Sequence, residues 1–265
     1  GGPAESVFID FQEVLVIPAS SKSYKESLQI MYTIFHMLKD QLKESNFSTL
    51  TSSQGAFSPQ ATSNTDCLTL LANAINGTSS KLGFDVFLGL DVAANNLYHN
   101  QEYRIRDKAM GFSAKNFLTF LADLMKQFDI LYFEDVLSED DWSGWENATT
   151  TLSKNSIIVG DDLVATNPYR LQMAIDKSAV NGIVIKPNLA GTVIESLAIA
   201  QVAKSSGLKV VVSQRGIETN DDFIADFAIA CGADYIKCGG LTRGEHVAKY
   251  NRLLQIEEHL QKLKH

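Results

Sequence analysis

From about residue 83 onward, the sequence alternates short apolar runs with longer amphipathic stretches. This alternation is typical of repeated βα units arranged around a parallel sheet. The apolar runs predict strands at 85–91, 130–134, 156–160, 182–186, 209–213 and 234–237. The amphipathic stretches predict helices at 114–128, 139–152, 168–178, 191–206, 220–231 and 243–262.

The first 80 residues follow a different pattern. An apolar run at 7–17 predicts a seventh strand, and helical periodicity predicts helices near 23–44 and 64–76. Between these helices lies the segment 45–63, which is rich in Ser, Thr, Gln and Gly. Because it is long for a structureless connection in a compact domain, we predict that it is a functional loop or a mobile segment.

Charged or polar side chains directly follow each of the six later strands. They are Asp91, Glu134 with Asp135, Asp161 with Asp162, Lys186, Gln214 with Arg215, and Lys237. From Glu134 onward these positions are 27, 25, 28 and 23 residues apart, close to one βα unit each. Active sites of (β/α)₈ barrels lie at the carboxyl ends of the strands. We therefore predict that these side chains gather at one mouth of a barrel.

Three of these residues, Asp91, Glu134 and Asp161, are carboxylates from three different strands. An all-oxygen site of this kind suits a hard cation such as Mg²⁺. A lysine that faces a bound cation has a lowered pKa and can serve as a general base. Each carboxylate taken singly could instead be the N-cap of the following helix. A lysine directly after the apolar run 183–185 is harder to explain structurally, because burying an unpaired charge is costly.

Composition narrows the class of protein. The 265 residues carry a formal net charge of −8, which argues against a nucleic-acid partner and against binding to an anionic membrane surface. No apolar run approaches the roughly 18 residues of a membrane span. The three cysteines form no CxxC pair, so neither a disulfide framework nor a zinc site is indicated. We predict a soluble, cytoplasmic protein.

Longer motifs resemble the enolase family, whose members dehydrate 2-phosphoglycerate to phosphoenolpyruvate in glycolysis. The segment 183–188 resembles the family's sequence around its catalytic lysine, and 133–135, 160–163 and 218–226 continue the match. The resemblance runs from Gly1-Gly2 almost to the last residue. It implies an α/β fold, an enolase-type (β/α)₈ TIM-like barrel over 1–265. It also implies that the first barrel strand and the family's N-terminal domain are absent from this chain.

The resemblance also implies roles for individual residues. Asp91, Glu134 and Asp161 resemble the protein ligands of the family's tighter Mg²⁺, and Lys186 resembles the base that removes the C2 proton. The implied substrate contacts are Lys237 to the carboxylate, Arg215 to the phosphate, and Glu13 within the substrate site. The implied partners are a small anionic phosphorylated substrate and a second copy of the chain in a homodimer, with no nucleic acid and no membrane.

Four positions depart from the family pattern. Gln54 replaces a glutamate that helps expel the 3-hydroxyl, Gln214 replaces a histidine, Gly216 replaces a serine, and Ala4 replaces a loop histidine. An amide can form hydrogen bonds but is not a useful acid. The chain is therefore expected to be an impaired Mg²⁺-dependent enolase or a catalytically inactive pseudoenolase with a structural or scaffolding role. A weaker alternative is another reaction of the superfamily that needs only proton abstraction by Lys186.

Overall fold

The structure is a computed structural model that describes residues 9–263. Seven strands form one sheet and follow each other in space as they do in sequence. They are β1 (Glu13–Pro18), β2 (Val86–Asp91), β5 (Ile130–Glu134), β6 (Ile157–Gly160), β7 (Gly182–Ile185), β8 (Lys209–Ser213) and β9 (Tyr235–Lys237). Strands β3 (Tyr98–His99) and β4 (Glu102–Tyr103) form a separate hairpin, which the sequence did not predict.

The seven predicted strands are confirmed, with one change at the N-terminal end. The strand predicted at 7–17 begins only at Glu13, and residues 1–8, including Gly1-Gly2 and Ala4, lie outside the described residues. β1 pairs antiparallel with β2, whereas the other neighbouring pairs are parallel. Glu13, the first residue of β1, lies opposite Asp91, the last residue of β2. Reversal of β1 thus brings Glu13 to the edge where the parallel strands end.

The described helices lie close to the predicted positions. They are α1 (Tyr24–Glu44), α2 (Asn64–Asn76), α3 (Ala114–Phe128), α4 (Trp142–Leu152), α5 (Pro168–Asp176), α6 (Pro187–Ala190), α7 (Val193–Ser205), α8 (Phe223–Ala230) and α9 (Gly244–Lys262), together with a short 3₁₀ turn at Ala94–Leu97. The helix predicted at 139–152 starts at Trp142, because Asp141 caps it by accepting a hydrogen bond from Gly144 N. Among residues 9–263, no helix is both long and apolar enough to cross a membrane.

The core has two layers, as expected for a sheet that curls on itself inside a ring of helices. Inside the curl, four buried side chains from successive strands pack together: Tyr132, Val159, Val184 and Val211. The alternate positions of the strands face the helices and form the larger outer layer, which includes Leu88, Phe133 and Trp145. Successive side chains of a strand point to opposite faces of the sheet, and here both faces are buried. The strands therefore appear in the sequence as continuous apolar runs.

The sheet is open between β9 and β1, where an eight-stranded barrel has one more strand. Helices α1 and α9 pack together across this opening on the outside. The carboxylate of Glu257 in α9 accepts hydrogen bonds from the backbone N–H groups of Tyr24, at 2.7 Å, and Lys25, at 3.0 Å. Backbone N–H groups in the first turn of a helix have no acceptor within the helix. Glu257, which is distant in sequence, therefore caps the N-terminus of α1. Among residues 9–263 the fold is therefore a curled α/β sheet of seven strands, one fewer than a closed (β/α)₈ barrel.

Replacing Leu88 by alanine should destabilise the fold by roughly 2–5 kcal/mol, because it removes a fully buried side chain and leaves a cavity. Leu50→Ala is the matched control, since Leu50 is 80% exposed and its loss should cost within about 0.5 kcal/mol. Urea unfolding followed by circular dichroism measures both free energies. Similar values for the two variants would contradict this assignment of the outer core layer.

Candidate active site

The polar side chains at the strand ends face the barrel interior because they continue the inner register of their strands. Alternate side chains of a strand lie on the same face, so the residue two positions beyond an inner-core residue also points inward. The corresponding pairs are Tyr132 with Glu134, Val159 with Asp161, Val184 with Lys186, and Tyr235 with Lys237. Pro187 disfavours a helical backbone at the residue before it, and Lys186 is extended with φ −120° and ψ 103°. Lys186 therefore keeps the inward direction of β7 although the strand has ended.

A single cavity of about 1350 Å³ contains the predicted site residues in its lining. These residues are Glu13, Gln54, Asp91, Glu134, Asp161, Lys186, Gln214, Arg215, Gly216 and Lys237. They lie on or directly after the seven strands of the sheet, apart from Gln54, which lies in the loop between α1 and α2. The lining also includes apolar side chains of α1 and α2, such as Leu38 and Leu71. The cavity thus combines charged and apolar walls, which is typical of small-molecule sites.

Lys237 is the centre of the charged mouth. Its Nζ lies 3.1 Å from a carboxylate oxygen of Glu13, 3.1 Å from one of Asp91, and 2.8 Å from one of Glu134. Glu134 also accepts a short hydrogen bond from the hydroxyl of Tyr132. One ammonium group therefore balances three carboxylates from three strands.

The surplus of carboxylates over ammonium groups changes the pKa values of Lys237 and Asp91. Burial by itself would lower the pKa of Lys237, but Asp91, Glu13 and Glu134 raise it well above its ordinary value. Burial and the charge of Glu134 raise the pKa of Asp91 well above its ordinary value, although Lys237 opposes this shift. Burial is the larger cause of the shift at Asp91, and the surplus of negative charge contributes to the raised pKa of both groups. Further positive charge, such as a divalent cation, would relieve it.

A second cluster lies beside the first. The Nζ of Lys186 forms a short ion pair with Asp161. The carboxylate of Asp135 accepts hydrogen bonds from the backbone N–H groups of Asp161, at 2.9 Å, and Asp162, at 2.8 Å. Burial, together with the charges of Asp161 and Asp162, raises the pKa of Asp135 well above its ordinary value. Asp135 thus fixes the loop that carries Asp161.

Carboxylate oxygens of Asp135, Asp161 and Asp162 lie within 4.8 Å of one another, close enough to share a cation. The predicted ligand set is different, since it joins Asp161 to Asp91 and Glu134, which here face Lys237. The two sets share Asp161. Two acceptor positions of Asp135 are already used by backbone donors, and Asp162 is exposed, which makes both less suited to ligation. The donor chemistry of Asp91, Glu134 and Asp161 fits a hard cation.

The loop between α1 and α2 is folded against the mouth. Thr51 and Phe57 form an isolated antiparallel bridge, and the carbonyl of Gln54 accepts a hydrogen bond from Gly240 N at 2.7 Å. A Cβ atom at Gly240 would lie 2.0 Å from the carbonyl oxygen of Gly55, so only glycine permits this approach. The loop predicted to be functional or mobile is therefore docked against the mouth, with Gln54 on the cavity wall.

Arg215 and Gly216 lie at the rim, directly beyond β8. The Arg215 side chain is exposed, while its backbone N–H donates to the carboxylate of Glu218 at 2.8 Å. Glu218 pairs with the fully buried Lys249 at 3.1 Å. Sequence reasoning did not identify Lys249, because a lysine in an amphipathic helix ordinarily faces solvent.

Sequence reasoning also missed His246, which lies in the first turns of α9 and is fully buried. It contacts Gln214 and the loop residue Ser53. No motif in the sequence distinguishes it, since its partners are about 30 and almost 200 residues away along the chain.

Comparison with protein families gives one match. The family model described as "Enolase, C-terminal TIM barrel domain" matches residues 1–264. The matched region includes all of the described residues and all of the residues that line the charged mouth.

Replacing Lys237 by methionine should destabilise the folded chain by roughly 3–5 kcal/mol at neutral pH, because the buried Asp91 and Glu134 and the partly buried Glu13 lose their shared partner. The control is Lys126→Met, which removes an exposed pair with Asp123 and should cost less than about 1 kcal/mol. Denaturant unfolding without divalent cations measures both. Equal costs would show that Lys237 does not hold the carboxylates together.

Proposed function

Because the chain belongs to the enolase family, of which it forms the C-terminal barrel domain, we propose that it is a Mg²⁺-dependent lyase acting on 2-phosphoglycerate. The observation that carries the proposal is the convergence of Asp91, Glu134, Asp161, Lys186 and Lys237 on one cavity. The proposed product is phosphoenolpyruvate and the proposed compartment is the cytoplasm. Association into a homodimer is part of the same proposal.

Asp91, Glu134 and Asp161 are the proposed holders of Mg²⁺. When bound, the metal stabilises negative charge on carboxylate oxygens of the substrate. Lys186 removes the C2 proton with its Nζ. Lys186 forms an ion pair with Asp161, which is also a proposed Mg²⁺ ligand. Binding of Mg²⁺ to Asp161 and release of Lys186 from it therefore involve the same carboxylate.

The cations of the mouth suit an anionic substrate in a chain whose net charge is −8. Lys237 holds the substrate carboxylate, and the exposed Arg215 at the rim contacts the phosphate. Glu13 and Gly216 complete the substrate site. Gln54 and Gln214 line the same cavity but carry neutral amides, so neither supplies an acid for departure of the 3-hydroxyl.

Incubation of the protein with 2-phosphoglycerate and Mg²⁺ should give an ultraviolet-absorbing product that is lost on chelation of the metal. Lys186→Met should lower the rate by about 10²- to 10⁴-fold, because it removes the general base. The control Lys154→Met changes a lysine outside the cavity lining and should leave the rate unchanged. A well-folded protein that yields no product with Mg²⁺ would contradict dehydration as the function.

A second candidate is a pseudoenolase that keeps the metal and ligand site but serves as a structural or scaffolding subunit. The observation that favours it is the contact between Gln54 and Gln214, since Gln214 Nε2 donates to Gln54 Oε1 at 3.4 Å. The two departures from the family pattern thus face each other.

The double substitution Gln54→Glu with Gln214→His should raise turnover by about 10²- to 10⁴-fold if the site is an impaired enolase, because it restores acid–base groups. The control Gln201→Glu changes an exposed glutamine of α7 and should have no effect. High turnover before any change would exclude the pseudoenolase. Exchange of the C2 proton with solvent in the unmodified protein, without dehydration, would show that the reaction stops after abstraction by Lys186.

A further inference from the structure

A chain of hydrogen bonds runs from a loop carbonyl, through His246, to the two glutamines of the mouth. His246 Nε2 lies 2.7 Å from the carbonyl oxygen of Ser53. His246 Nδ1 lies 2.9 Å from Gln214 Nε2, and Gln214 Nε2 lies 3.4 Å from Gln54 Oε1. The members come from three parts of the fold: the loop carries Ser53 and Gln54, Gln214 follows β8, and His246 lies in α9.

The direction of this chain follows from its first member. A backbone carbonyl can only accept, so Nε2 of His246 donates to it, and on a ring that carries a single proton Nδ1 is then an acceptor. Nδ1 is closer to Gln214 Nε2, at 2.9 Å, than to Gln214 Oε1, at 3.2 Å. The Gln214 amide therefore presents its NH₂ group to the ring. Its second hydrogen is directed to Gln54 Oε1.

The same direction determines what Gln54 offers to the cavity. Its Oε1 end faces Gln214, so the opposite end of the amide, with the Nε2 hydrogens, is the donor that the side chain can present to a ligand. Gln54 lines the cavity, whereas His246 does not appear in the lining. His246 thus acts on a ligand only through the two glutamines.

Close packing keeps the chain in place. Gly239 has φ +80°, and a Cβ atom there would lie 2.7 Å from Gln54 O, 2.8 Å from Gln214 Nε2 and 2.8 Å from His246 Nδ1. The loop is also held by Thr242, whose hydroxyl donates to the carbonyl of Gly55 at 2.8 Å. These groups are therefore held close to one another.

We propose that His246 is a positioning residue that sets the hydrogen-bond direction of Gln214 and Gln54, so that Gln54 selects a ligand with an acceptor at the position of the 3-hydroxyl. Suitable acceptors are a carboxylate or carbonyl oxygen. The ligand part of this inference rests on the proposed function, which places a phosphorylated three-carbon acid in the cavity. The direction of the chain does not depend on it.

Long-range ¹H–¹⁵N spectra of the full chain without ligand test the direction. The chain has five histidines, and the signal that disappears in His246→Asn identifies this one. We expect the neutral ring to carry its proton on Nε2. A proton on Nδ1 would overturn the proposal, whatever the protein binds or catalyses.

Calorimetric titration of the protein with two probes, in the presence of Mg²⁺, tests the selectivity of Gln54. The probes are 2-phosphoglycerate and its analogue with a carboxylate in place of the hydroxymethyl group. Relative affinity for the carboxylate probe should fall by about tenfold or more in Gln54→Glu, which replaces the donor by a second carboxylate. It should also fall in His246→Phe, which removes both ring contacts, and should be retained in His246→Asn, whose oxygen can replace Nδ1 as the acceptor.

An unchanged affinity ratio in a folded His246→Phe would overturn the positioning role. If neither probe binds to any variant, the proposed function and the ligand part of this inference are both wrong. The spectrum of the free protein would still decide the direction of the chain, so the two failures are distinguishable.

Discussion

The ammonium group of Lys237 joins the two ends of an open sheet. It projects from β9 and reaches Glu13 on β1, although no backbone ladder connects these strands among residues 9–263. The same group holds Asp91 and Glu134 on the next two strands. Since unpaired buried charges are strongly unfavourable, this arrangement depends on keeping all four side chains together. The ammonium group of Lys237 therefore both positions the three carboxylates at the mouth and balances part of their charge.

The surplus of carboxylates at this point has a chemical meaning. The raised pKa values of Asp91 and Asp135 follow from burial and from neighbouring negative charge. Such a site costs stability in the absence of further cations, and proteins commonly tolerate this cost at functional sites. In the proposed function, Mg²⁺ and an anionic substrate share the mouth, and the two lysines provide the local positive charge that an acidic chain otherwise lacks.

The mouth has a charged side and a neutral side. The carboxylates and lysines on β1, β2 and β5 to β7, with Lys237 of β9, suit binding and deprotonation of a carboxylate substrate. On the other side, Gln214 contacts both Gln54 and His246. In the proposed function, proton abstraction and loss of the hydroxyl thus depend on different groups of side chains.

The sequence by itself determined the seven strands of the main sheet, most helix positions and the placement of Glu134, Asp161, Lys186 and Lys237 at the strand ends. These features are local: period-two and helical periodicity, together with the residue that follows each strand, depend on neighbours a few positions away. The family motifs are local as well, since each is a short continuous segment that can be recognised without the structure.

Only the tertiary structure decided what these residues contact. The reversed direction of β1, the grouping of three carboxylates around Lys237 and the packing of the 51–57 loop against Gly240 all join segments distant in sequence. His246 is the clearest case, since a lone histidine in an amphipathic helix carries no local signal. Its burial, and with it the direction of the Gln214 and Gln54 amides, arises only when α9, β8 and the loop are packed together.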